Sequence, residues 1–265
     1  MPKVTSKDGT EIAYTKVGSG PALIITFGAT AFRGNSPEES TLAEMLSPDF
    51  TVITYDRRGR GESGNTLPFA PKREIEDIAA LIQMAGGRAN LLGYSSGSIV
   101  ALEAAASALP VDKLVMYEPP VILPGQPFPA PPADYVETLN RLAQSGDKGA
   151  PFAYFLQSLG TPPEAIEDMK KTPIWPVMES IGPTIAYDGK FMFDAYYTEG
   201  KFPARWKHAK MPVLILDGDA SFPFMNAAAN AVATELPNAS RKTLAGQDHG
   251  PKPEAMAPVL REFLA

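Results

Sequence analysis

The sequence predicts an α/β protein with a mostly parallel, twisted sheet flanked by helices. Three observations predict it. Short β-branched runs alternate with helical patterns at both ends of the chain. Most of those runs are largely apolar, as strands covered on both faces are. Between the two ends, Pro119–Trp206 holds fourteen of the 27 prolines and 13 of the aromatic residues, so it is built differently from the sheet.

The elements follow in order. Asp8-Gly9 is a turn signal, and Glu11–Lys16 after it reads as one arm of an early hairpin. Ala22–Thr26 and Thr51–Tyr55 are short, β-branched and bounded by turn residues, so they read as buried strands. Arg73–Ala85 sets Ile75, Ile78, Ala79, Ile82 and Ala85 at helical spacing. Asn90–Leu92 is a further strand. Ser98–Leu109 is an Ala- and Leu-rich helix closed by Pro110, and Lys113–Tyr117 is the sixth strand. Val213–Leu216 resumes the sheet. Met225–Leu236 is a helix stopped at Pro237-Asn238, and Ala255–Leu264 is the last helix. The expected division is a core of 1–118 and 211–265 with a helical cap over 119–210, inserted after the sixth strand. Prolines bar long helices there. The aromatics argue against a disordered linker.

Composition removes several functions. At 265 residues the chain suits one large domain. Cysteine is absent, which excludes disulfides, cysteine nucleophiles and thiolate metal sites. Two histidines cannot build a multi-histidine zinc site. A net charge of −6 argues against nucleic-acid and anionic-membrane partners. No apolar run reaches the ~20 residues of a membrane span. Met1–Gly9 lacks the apolar stretch of a signal peptide, so a cytoplasmic location is the default expectation.

The chemistry centres on Gly93-Tyr94-Ser95-Ser96-Gly97, a G-x-S-x-G segment between a short strand and a helix. A nucleophile on such a sharp strand-to-helix turn needs small residues two before and two after it. Gly93 and Gly97 supply them. The turn lifts the Ser95 hydroxyl above the carboxyl end of the sheet, where the helix N-terminus favours developing negative charge. The bland alternative is a Gly/Ser-rich turn without chemistry.

With this elbow, three other segments resemble the α/β-hydrolase superfamily over nearly the whole chain. Tyr55-Asp56-Arg57-Arg58-Gly59-Arg60-Gly61-Glu62-Ser63 is similar to the turn after the family's fourth strand, a largely architectural segment. Phe27-Gly28-Ala29 stands where the family often has His-Gly-x. Gly246-Gln247-Asp248-His249-Gly250 stands where its catalytic histidine lies. The resemblance implies an α/β-hydrolase fold with Ser95 as nucleophile and His249 as base. It further implies an oxyanion hole from the amides of Ser96 and of Gly28 or Ala29, and no metal or organic cofactor. His208, among the cations of Arg205-Trp206-Lys207-His208, reads as a surface histidine.

The acid stays open. The family commonly places an Asp three residues beyond a Gly after its seventh strand; here that place holds Ser221, after Gly218. Asp219 is close but out of register, and Asp217 less suited. Glu118, 23 residues beyond Ser95 at the end of the sixth strand, is the alternative. The zearalenone lactonases resemble this layout, with a Glu before a Pro and a Ser-Ser-Gly elbow. Ligands of open α/β sheets also bind at strand carboxyl ends. Glu118 is therefore the first choice and Asp219 the second. Phe27, Tyr94, Trp175, Tyr187, Phe191, Phe193, Tyr196 and Tyr197 either line a substrate pocket or form core.

The expected activity is a serine hydrolase acting on a small hydrophobic carboxylic ester or lactone. A Ser nucleophile argues against dehalogenase and epoxide-hydrolase chemistry, which in the family uses Asp there. A lyase or acyltransferase on the same fold, or a silent ligand-binding protein, are the rivals.

Overall fold

The computed structural model describes residues 1–122, 131–199 and 202–265, the side chains of 194–199 excepted. Eight strands form one sheet: β1 (Lys3–Thr5), β2 (Glu11–Val17), β3 (Ala22–Thr26), β4 (Thr51–Tyr55), β5 (Ala89–Tyr94), β6 (Val111–Tyr117), β7 (Val213–Gly218) and β8 (Ala239–Leu244). Their spatial order is β1-β2-β4-β3-β5-β6-β7-β8. The β1–β2 and β2–β4 pairs are antiparallel and the rest parallel. β3, β4, β5 and β7 are buried along their whole length, which explains their largely apolar sequences.

The core helices are α1 (Pro37–Leu46), α2 (Pro71–Met84), α3 (Ser96–Ala106), α9 (Pro223–Glu235) and α10 (Pro253–Leu264). α2, α3 and α9 cover one face of the sheet, and α1 and α10 the other. Two elements escape the sequence patterns. α1 is one, with Leu42, Ala43 and Leu46 as its buried stripe. β8 is the other; it is an edge strand with only Leu244 fully buried, so it lacks an apolar run. Prolines open α1, α2, α9 and α10, where a missing N–H costs nothing.

Between β6 and β7 lie α4 (Tyr135–Ala143), α5 (Ala150–Ser158), α6 (Pro163–Met169), α7 (Trp175–Ile181) and α8 (Ile185–Glu199). The first four have seven to nine residues, and prolines punctuate them. α8 reaches 15 residues because no proline interrupts it. Tyr135, Leu139, Phe152, Trp175, Met178 and Ile181 pack into an apolar cluster of their own. Among the described residues, no helix is long and apolar enough to cross a membrane.

The chain steps from β3 to β4 on one side, then back to β5 on the other side of β3. This reversal opens a crevice at the carboxyl ends of β3 and β5, the usual ligand site of such sheets.

Candidate active site

Ser95 follows β5 directly and caps α3 at φ 50°, ψ −128°. A non-glycine residue held there is strained by roughly 1–3 kcal/mol, which the surrounding structure must enforce. It does so through glycine. A Cβ on Gly93 would meet Ser98 Cα at 2.4 Å. One on Gly97 would meet the Phe27 and Thr26 carbonyl oxygens at 2.4 and 2.5 Å. The elbow is therefore wedged against the end of β3. Its backbone is tied down as well: the Ser95 N–H donates to the Tyr117 carbonyl at 2.9 Å.

His249 sits in the loop between β8 and α10. Its Nε2 lies 3.1 Å from Ser95 Oγ, and its Nδ1 lies 2.5 Å from Glu118 Oε2. The imidazole is about one third exposed, whereas Glu118 is fully buried. The loop is held from several sides. Tyr117 Oη donates to the Asp248 carbonyl, and the Ala220 N–H to the Gln247 carbonyl at 3.0 Å. Gly218 is needed here, because a Cβ on it would meet the Gln247 carbonyl at 2.0 Å.

Glu118 continues β6 with φ 45°, a second strained non-glycine position. Its carboxylate is fully partnered. Oε1 accepts the Gly218 N–H at 3.0 Å, and Oε2 accepts the Ser221 hydroxyl at 2.8 Å as well as facing His249. Asp219 is exposed and does not reach His249; its Oδ1 accepts the Gly246 N–H at 2.6 Å, fixing the turn before the histidine. Asp217 is buried in an ion pair with Arg241. His208 is exposed, in a 3-10 turn remote from these groups.

A cavity of about 780 Å³ opens onto Ser95 and His249, within the range of small-molecule sites. Gly28, Ala29, Tyr94 and Ser96 line it, together with Phe152, Phe155, Met178, Phe193 and Phe224. The other aromatics expected from the sequence lie elsewhere. Phe27 is buried at the end of β3. Trp175 packs on Phe152 and donates to Glu179. Tyr187 stacks on Phe69 at 3.7 Å, and Phe191 joins the core. The side chains of Tyr196 and Tyr197 lie outside the described residues. Helical position separates them: Phe193 faces the cavity, while Tyr187 and Phe191 turn toward the sheet-side core. Phe152 and Phe155, missed by sequence reasoning, sit three apart on α5 and so share a face.

One group has no signal in the sequence. Asp188 on α8 is buried and accepts from Arg57 Nη1 at 2.5 Å, from Arg60 Nη2, and from Ser96 Oγ at 2.6 Å. Burial alone would raise its carboxyl pKa. The two guanidinium groups and the Ser96 hydroxyl outweigh burial and hold it below the ordinary value.

A model of the alpha/beta hydrolase family matches residues 25–259. The fold matches an alpha/beta hydrolase of Sphaerobacter thermophilus, with a TM-score of 0.87 and 43% identity across the whole of both chains. An enol-lactonase from Burkholderia xenovorans shares the fold at a TM-score of 0.71 and 18% identity, over 99% of each chain. Among curated proteins, a non-heme chloroperoxidase of Streptomyces lividans is 27% identical over all of this chain and 99% of its own. The match to the family model spans most of the sequence and coincides with the parallel sheet and the G-x-S-x-G turn, so this chain belongs to the alpha/beta hydrolase family.

Proposed function

We propose that the protein is a serine hydrolase that cleaves carboxylic esters or lactones through an acyl-enzyme on Ser95. The observation that carries this reading is the unbroken line of contacts from Ser95 Oγ to His249 Nε2 and from His249 Nδ1 to Glu118, at 3.1 and 2.5 Å. Nδ1–H donates to the carboxylate, which leaves the Nε2 lone pair free to take the serine proton. Ser95 Oγ then attacks the substrate carbonyl. His249 becomes imidazolium, stabilised by Glu118, and returns the proton to the leaving alcohol oxygen. Water repeats the sequence on the acyl-enzyme and restores the serine. The tetrahedral oxyanion sits against the N–H of Ser96 and an N–H of the Gly28-Ala29 loop; each such donor contributes roughly 3 kcal/mol. The helices between β6 and β7 act as the cap that walls the substrate cavity. Its apolar lining favours a substrate with a hydrophobic acyl or alcohol part.

The test is covalent labelling. The folded protein treated with a fluorophosphonate should gain one adduct, mapped by mass spectrometry to Ser95. Folded protein left unlabelled at Ser95 overturns the acyl-enzyme mechanism. Hydrolysis of p-nitrophenyl esters and aryl lactones, with products identified in water, then separates hydrolysis from acyl transfer or elimination.

A further inference from the structure

We infer that Asp188, with Arg57 and Arg60, is a positioning residue that aims the oxyanion-binding amides from both sides; the inference rests on the serine-hydrolase reading above. Arg57, Arg58 and Arg60 are all nearly fully buried. A buried cation is costly unless paired and hydrogen-bonded, so the partners of each define its task. Arg58 turns away from the site, to Asp77 and Asp8. Arg57 spends two donors on Glu74, at 2.6 and 2.9 Å, and Arg60 spends one on Thr184 at 3.0 Å. Their remaining donors converge on Asp188 and on two carbonyls. Arg57 Nη1 donates to the Phe27 carbonyl at 3.3 Å, and Arg60 Nη1 to the Gly28 carbonyl at 2.7 Å.

Those two carbonyls are the informative contacts. A peptide unit is planar and trans, so its C=O and the following N–H point in opposite directions. The Phe27 carbonyl shares its plane with the Gly28 N–H, and the Gly28 carbonyl shares its plane with the Ala29 N–H. Gripping each oxygen from behind therefore fixes where each N–H points. It also polarises the peptide and strengthens the N–H as a donor. Both candidate amides of the Phe27–Ala29 loop are governed this way. The opposite donor is governed by the same carboxylate. Asp188 Oδ1 accepts the Ser96 hydroxyl at 2.6 Å, and so anchors the residue whose N–H faces the oxyanion from α3. Asp188 comes from α8, between β6 and β7. The donor pair is thus in register only when that helix is docked on the core.

A merely structural ion pair would alter stability and leave the chemistry of the folded enzyme alone. The experiment compares wild type with Asp188→Asn, Ser96→Ala and Arg60→Lys. Asp188→Asn keeps the shape and removes the charge. Ser96→Ala removes only the neutral tether, so it keeps the buried charges balanced. Arg60→Lys keeps the charge but cannot grip the Gly28 carbonyl, Thr184 and Asp188 in one fixed fork. Each variant is first checked for folding by circular dichroism. Fluorophosphonate inactivation rates and kcat and KM on a p-nitrophenyl ester are then measured. We expect Asp188→Asn to lower kcat and the inactivation rate by about 10²-fold, the order seen when an oxyanion donor is lost, with KM within about twofold. Ser96→Ala and Arg60→Lys should each give a smaller kcat loss in the same pattern. If Asp188→Asn fails to fold, these two decide. Folded variants that keep wild-type kcat and inactivation rate overturn the inference while the serine-hydrolase reading stands. A wild-type protein that is not labelled at Ser95 overturns both.

Discussion

Ser221 donates a 2.8 Å hydrogen bond to the same oxygen of Glu118 that meets His249 at 2.5 Å. The residue that stands where the family resemblance leads one to expect an acid here donates instead to a buried carboxylate at the end of the neighbouring strand. A Ser is short enough to leave room for the longer Glu118 side chain, and its hydroxyl satisfies a lone pair the buried carboxylate would otherwise leave open.

This relationship separates the two candidate acids. Glu118→Gln should cut kcat by about 10⁴-fold, the size of an amide swap in an analogous triad. Asp219→Asn should leave kcat within a few-fold, since among the described residues the Asp219 carboxylate accepts from the Gly246 N–H and not from His249. Ser221→Ala should cost about 10- to 100-fold, the worth of one hydrogen bond to a charged group. Steady-state kinetics on the three folded variants checks the order; a larger loss for Asp219→Asn reverses the assignment.

Gly97→Ala tests the elbow. The added methyl would lie 2.4 Å from the Phe27 carbonyl, backbone that cannot rotate away. Either α3 or the end of β3 must shift. Thermal unfolding should show a loss of about 3 kcal/mol, and activity should fall with it because the same carbonyl orients the loop beside Ser95. Unchanged stability would mean that the contact yields freely.

The folded-state pKa of Asp188 lies below the ordinary carboxylate value of 3.8. A depressed acid pKa adds stability above the unfolded-state value and loses it as pH falls through the folded-state value. The groups facing it are Arg57, Arg60 and the Ser96 hydroxyl on the core and Tyr135 on α4, and Glu74 shares Arg57 with it. Breaking such a buried pair costs about 3–5 kcal/mol. The Tm gap between wild type and Asp188→Asn should therefore be full above about pH 4. It should narrow as pH falls from 3.8 toward the lower folded-state value, because the unfolded chain takes up the proton first and the native carboxyl only at lower pH. A gap that widens on acidification contradicts the ion-pair account.

Charge at the cavity predicts selectivity. Its described lining holds Glu38 and Glu39 and no lysine or arginine. Esters carrying a carboxylate should react about tenfold more slowly, in kcat/KM, than neutral esters of equal size, a difference of about 1.4 kcal/mol. Burial raises the Glu39 carboxyl pKa above 4.5, so this discrimination should grow with pH as Glu39 ionises. Glu39→Gln should flatten that pH dependence.

Much of the molecule is legible in its residues alone. The apolar runs from Ala22 to Leu216 mark strands because their period and length leave few other choices. Gly93-Tyr94-Ser95-Ser96-Gly97 announces the elbow because few residues tolerate that turn. Helix α1 and strand β8 are not legible, since one has a narrow apolar stripe and the other is an exposed edge.

The sequence by itself determined the α/β scaffold and the Ser95 turn, because each depends on local pattern and backbone sterics, and its resemblance to the α/β hydrolases singled out the histidine near the end of the chain. Tertiary structure alone decided the rest. It chose Glu118 over Asp219 as the carboxylate beside His249, a matter of which strand end faces the ring. It sorted the aromatics between cavity and core, which depends on helix rotation. It also brought Asp188 to Ser96 across 92 positions of chain. No local pattern encodes that meeting, because it follows from how α8 docks on the sheet and from the need of buried arginines for a counter-charge.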